Sequence, residues 1–327
     1  IGSSQRPAAS LVRGVIDLEE GRPEAIDLIV TARDQLQRHS VEAGDLPVPP
    51  LDASDDASDL SRGLEDSTNR IFDRLVLKAL VAADRAPEAL QLAENRLAEV
   101  RKTKGEEAAV FLAWCVEHGL AEVVESLNFT PAGTVNDDLY LTFAAAVALN
   151  ATGQAERGQQ TAAVASRLAA DEAMDRLQAA VMLAKWGAIE WADREYQAIV
   201  DDPKSQSIEF VLTAVMFSEF LHDQGREDEA AKALAAIFQP RAPDNVDPNT
   251  VLRQLSREPA TTRSRMLFFE ATAAAERGER GLQRQKLEES IRTSPKDVDA
   301  LIALHRLTDA TPLQQQAVRA QIDAALA

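Results

Sequence analysis

Apolar residues along most of the chain recur three and four positions apart, a period that predicts amphipathic helices and argues against strands. The stretches "LYLTFAAAVALNATGQ" and "EFVLTAVMFSEFLHDQGREDEAAKAL" each read as a helix, a short turn and a second helix. Alanine, leucine, glutamate, glutamine and arginine dominate these segments, as helix propensity favours. The turns supply an internal ruler. Asp84, Gly119, Gly153, Gly187 and Gly225 stand about 34 to 38 residues apart, and a further turn falls at Gly278. Glycine suits these places because the residue that ends a helix is often left-handed, a conformation that a Cβ disfavours.

Side chains keep the same register. Four residues before the turns stand Leu80, Cys115, Leu149, Leu183, Leu221 and Ala274, and seven before stand Leu77, Leu112, Ala146, Ala180, Ser218 and Ala271. These sets predict the buried stripe of a first helix. Five residues after come Ala89, Val124, Gly158, Ala192, Ala230 and Gln283, of which Gln283 is the misfit. In "KWGAIEWADREYQAIVDDP" the ruler puts Trp186 and Trp191 on either side of the turn at Gly187. Packing of the two rings across the hairpin is expected, with Trp191 a candidate edge contact if it is exposed.

About eight such hairpins fit the chain. Residues 1–39 read as a first hairpin, 40–59 as an acidic, proline-rich flexible loop, and 60–238 as the main run of hairpins. Residues 239–262 are an insertion, and 263–327 carry the C-terminal hairpins. The hairpin that starts near Glu106 has a short second helix ending around Asn128, before "FTPAGT". Within the insertion, Asp247 is an N-cap candidate and Pro248 a first helical residue, so "DPNTVLRQLSR" predicts a short extra helix.

The roughly 34-residue period, the small residue in the first helix, the glycine at the turn, the alanine in the second helix and an occasional terminal proline together resemble the tetratricopeptide repeat family. "GREDEAAKAL" is the closest local match, and Gly278 with Pro295 reproduces the family's turn-to-proline spacing. The tryptophan expected early in the first helix is missing and the core tyrosine is mainly leucine, so the chain is similar to a divergent member. Sel1-like repeats compete closely, while pentatricopeptide repeats share the period but bind RNA, which the acidity disfavours.

The resemblance implies an all-α fold, an α-solenoid of helix-turn-helix hairpins forming a right-handed superhelix. It also implies a non-catalytic scaffold whose first helices line a concave groove for a protein or peptide partner. On that register the groove positions are Arg74 and Lys78, then Tyr140, Phe143 and Val147, then Met174, Leu177 and Val181. Leu212, Val215, Met216, Glu219 and His222 follow, and finally Phe268 and Phe269. Such an apolar middle suits an amphipathic helix or an extended hydrophobic segment. The competing reading is core packing, which a one-residue shift of register would produce. Some relatives grip a C-terminal carboxylate with a Lys, Asn and Arg set; Lys78 fits, but the matching asparagines are missing, so that function does not carry over.

Composition narrows the partners. The chain has 327 residues and a net charge of −18, with no dense basic stretch, which disfavours nucleic acid and anionic membrane surfaces. No long uncharged apolar run suggests a transmembrane helix. Cys115 is the single cysteine, so neither a disulfide within the chain nor a cysteine zinc cluster is expected. "CVEH" places Cys115 and His118 on one helical face, but the ruler puts the thiol in the buried stripe, which favours a structural role. "EFLH" gives Glu219 and His222 the spacing of helical metal ligands without the second pair such a site needs. No metal, cofactor or enzymatic activity is therefore expected. The other functional readings are a ligand-handling accessory domain of an export or enzyme system, and self-association through an exposed end of the stack. The chain starts at Ile1, which reads as a truncated N-terminus and leaves cytoplasm and periplasm both open.

Overall fold

The computed structural model describes residues 73–102, 105–130, 133–135, 137–169, 172–202, 208–239, 247–307 and 312–326, with scattered positions between Ser10 and Gln35. The expected loop at 40–59 lies outside these residues. Among them the chain is all-helical and contains no strand. It divides into two compact units, Ile1–Val164 and Ala165–Ala327.

The first unit holds α1 (73–82), α2 (Ala86–Val100), α3 (Gly105–Glu117), a short 3₁₀ helix (Ala121–Ser126), α4 (Leu139–Ala151) and most of α5 (Ala155–Leu168). Proline in its first turn starts α2, which buries Ala89, Ala93, Leu97 and Val100 as one stripe. Ahead of it, Arg85 reaches back to Asp27 at 2.7 Å, next to a helical stretch that buries Ala25, Ile29 and Ala32. The carboxylate of Asp138 caps α4 by accepting from the Leu141 N–H at 2.7 Å. Every residue of α4 from Leu141 to Leu149 is buried, so this helix is core on all sides. Gly158 of α5 lies against it: an added Cβ would stand 3.0 Å from the Ala146 carbonyl oxygen. The short helix expected to end near Asn128 is the 3₁₀ segment, because Leu127 turns extended and the next bonds close a loop between Thr130 and Thr134.

The second unit continues through α6 (Ala173–Lys185), α7 (Ile189–Val200), α8 (Ile208–Asp223), α9 (Glu227–Phe238) and α10 (Pro248–Gln254). It ends with α11 (Pro259–Glu276), α12 (Arg280–Thr293), α13 (Val298–His305) and α14 (Pro312–Leu326). Contacts pass between chain neighbours: α6 packs on α7, α7 on α8, α8 on α9, α11 on α12 and α13 on α14, while α8 also meets α6, and α9 meets α11. Asp247 caps α10 by accepting from Asn249 and Thr250, with proline opening the helix. Near the start of α6, Arg176 makes a 2.8 Å ion pair with the buried Glu195 of α7.

One turn geometry joins the hairpins. Asp84, Gly119, Gly153, Gly187, Gly225 and Gly278, the six ruler positions, all have positive φ, between 58° and 79°. At each, the next residue's N–H donates to the carbonyl of the residue four before the turn: Leu120 to Cys115 at 2.8 Å, Gln154 to Leu149 at 2.9 Å, Arg226 to Leu221 at 2.9 Å. The turn residue's own N–H donates to the carbonyl three before it, which completes a Schellman motif. Leu80, Cys115, Leu149, Leu183, Leu221 and Ala274, whose carbonyls accept these bonds, are all buried. So are the residues seven before each turn, and those five after it apart from Gln283, which is half-buried. Ser256 closes α10 in the same way at φ 55°, with no glycine to announce it.

Trp191 corrects the expected edge contact: it is 5% exposed and belongs to the buried stripe with Ala192, Tyr196 and Ile199. Trp186, at the end of α6, is half-buried. Tyr196 stacks on Phe217 of α8 at 5.3 Å, which carries the aromatic packing on to the next helix.

A Cβ at Gly187 would meet nothing within 4 Å, so Gly187→Ala costs only left-handed backbone strain, about 1–2 kcal/mol. Asp84→Gly relieves the same strain and stabilises by up to about 1 kcal/mol. Gly158→Ala is expected to cost more than Gly187→Ala, because backbone must move. Urea unfolding of the three variants checks this order; an unchanged Gly187→Ala would remove the strain account.

Candidate partner-binding site

Helix α8 builds both core and surface. Phe210, Val211, Thr213, Ala214, Val215, Phe217, Ser218, Phe220 and Leu221 are buried. Ile208 at its start is exposed and His222 half-buried; what else remains outside is Glu209, Leu212, Met216 and Glu219, half-buried, and then Asp223, exposed. The latter positions repeat at three and four residues, so they form one stripe along the helix. From Glu209 to Glu219 it spans about 15 Å at the rise of an α-helix.

Arg265 of α11 organises the C-terminal half of the stripe. Its Nε and Nη2 donate to the two carboxylate oxygens of Glu219 at 3.0 and 2.8 Å, and its Nη1 donates to Asp299 at 2.7 Å. The guanidinium lies 5.0 Å from the centre of the Phe268 ring and 4.7 Å from that of Phe269. The imidazole of His222 also sits against Phe269, at 4.9 Å, and its Nδ1 is 2.7 Å from Oε1 of Glu227. Glu227 is buried, and its Oε2 has no hydrogen-bond partner among the described residues. Burial raises its carboxyl above the usual carboxylate range, outweighing the opposite pull of His222. The glutamate and histidine of "EFLH" are thus held by Arg265 and Glu227.

Beside Glu219 and Arg265 opens a cleft of about 540 Å³. Val215, Leu234 and Leu255 supply its apolar lining, and Ser256, Arg257 and Thr261 its polar lining.

The remaining candidates separate by burial. Phe143, Val147, Leu177, Val215 and Phe269 are buried in their own units, which corrects their placement on an open groove surface. Val181 and Phe268 are half-buried and Met174 is exposed, on α6 and α11 of the second unit. In the first unit Tyr140 is half-buried and Lys78 exposed. Arg74 lies 5.8 Å from the Trp114 ring centre and lines a cleft of about 310 Å³ with the Asp73–Arg96 pair, Val110 and Phe111. Cys115 is buried, and desolvation pushes its thiol up to about 12 against a weaker opposing effect of Arg74. His118 stacks on Trp114 and its Nδ1 is 2.9 Å from the Trp114 carbonyl oxygen.

Arg265, Asp299 and Glu227 did not emerge from the sequence pattern. Arg265 and Glu219 are 46 residues apart, and no local spacing joins them. No family model matches the chain, and no curated protein matches it.

The raised Glu227 carboxyl fixes the sign of a pH effect. In the unfolded chain it titrates at about 4.3. The folded state binds more protons above that value, so the stability tied to the protonated carboxyl is complete below it and is lost as pH rises to the folded pKa. Glu227→Gln keeps the shape without the titration. Urea unfolding from about pH 4 to 7 should show the wild type losing stability relative to Glu227→Gln; parallel curves would contradict it.

Proposed function

We propose that the protein is a non-catalytic interaction module, a divergent tetratricopeptide-like solenoid with a right-handed superhelical stack. Its first helices receive a segment of a protein partner. The recurrent Schellman hairpins and the contacts between chain neighbours support the repeat reading. The observation that carries the function is the α8 stripe, where Leu212 and Met216 stay half-exposed and Ile208 is exposed at the helix start, although the rest of the helix's apolar surface is buried. Met174, Val181 and Phe268 add apolar surface on α6 and α11. Burial against a partner returns about 25 cal/mol for each Å² removed from water, and methionine adapts its shape to what it meets.

Leu212→Asp/Met216→Asp tests the reading. Affinity capture from the source cell, quantified against the wild type, should lose the specific partner, while circular dichroism and Tm establish that the variant folds. Identical partner sets from two folded proteins would overturn groove binding.

A further inference from the structure

The reading of α8 as a docking surface leaves open what kind of segment docks, and on that reading the charges decide. Helix α8 carries Glu209, Glu219 and Asp223 and no lysine or arginine. Its apolar pair, Leu212 and Met216, lies between Glu209 on one side and Glu219 and Asp223 on the other. Two arginines on the neighbouring helices are already engaged: Arg265 is held by Glu219 and Asp299, and Arg176 of α6 by Glu195. Arg263 of α11 lies over the Phe238 ring at 4.6 Å. Arg265 thus answers Glu219 and Asp299, while Glu209 and Asp223 make no ion pair among the described residues. Arg257 lies in the adjoining cleft and is followed directly by Glu258. The chain as a whole carries −18, so its long-range field draws cations toward this surface as well.

We infer that the α8 stripe docks a basic amphipathic helix, with two apolar side chains seated on Leu212 and Met216 and lysine or arginine at both ends. The cations must stand about 15 to 21 Å apart, roughly ten to fourteen residues along a helix, to meet Glu209 at one end and Glu219 or Asp223 at the other. An acidic segment would bring like charges together over an apolar contact, and a second copy of this chain would do the same.

The test uses the full chain and three labelled helical peptides, read by fluorescence anisotropy. The first has two leucines four residues apart bracketed by lysines, the second has glutamates in place of the lysines, and the third is the first scrambled. Only the lysine peptide should bind with a defined Kd, and binding should weaken severalfold as salt rises from about 0.1 M to about 0.5 M. Glu209→Gln/Asp223→Gln should raise that Kd about three- to tenfold at unchanged Tm. Equal binding of the lysine and glutamate peptides overturns the charge inference while leaving the groove in place. Equal binding of the scrambled peptide reduces the effect to diffuse attraction and overturns it too. If no peptide binds, the inference falls; the docking surface falls with it only if Leu212→Asp/Met216→Asp also captures the same partners as the wild type.

Discussion

Each of the six ruler turns depends on one hydrogen bond, from the N–H just after a left-handed residue to a carbonyl five residues back. The residue that accepts this bond also inserts its side chain into the core: Leu80, Cys115, Leu149, Leu183, Leu221 and Ala274 do both. Turn and packing are therefore not independent. A helix that ran one residue further would lose the bond and rotate its buried stripe by about 100°. The exit direction of the second helix follows from the same bond, and with it the face that Ala89, Ala192 or Ala230 turns inward. Small residues there let the two helices approach closely, most of all at Gly158, where a Cβ would press on the Ala146 carbonyl oxygen at 3.0 Å.

This coupling explains why so much of the fold was legible. Five of the six turns carry glycine, and Asp84, the exception, belongs to a residue type that tolerates left-handed backbone. Ser256 takes the same conformation without a signal, because its turn is specified by the helix that ends there and not by its own side chain. The 3₁₀ segment was legible only as a short helix, since three-residue and four-residue bonding use the same apolar residues over so brief a span.

The surface was less legible than the core for a definable reason. Helices α4 and α8 are apolar nearly all round, so periodicity cannot say which apolar residues face outward. Val211, Leu212, Val215 and Met216 are interchangeable in pattern, yet two are buried and two half-exposed. The residues that break the tie lie on other helices. Tyr196 of α7 packs on Phe217 and Phe220, Arg265 of α11 pairs with Glu219, and these contacts orient α8. Charges proved the better guide to the exposed stripe, since Glu209, Glu219 and Asp223 share a face that the apolar pattern left undefined.

Arg265 ties the surface to the interior. It neutralises Glu219 at the surface and lies against Phe269, which touches His222, which in turn meets the buried Glu227. A cation arriving at Glu219 meets a guanidinium already bound in two places and packed on two rings, and displacing it would strand both the rings and Asp299. The less committed carboxylates are Glu209 and Asp223, so an incoming basic segment gains most there and leaves Arg265 in place. Arg265 then acts as a strut: it holds Glu219 and the α11 rings in position, so that the proposed apolar contact on Leu212 and Met216 would form without the helix having to be rebuilt.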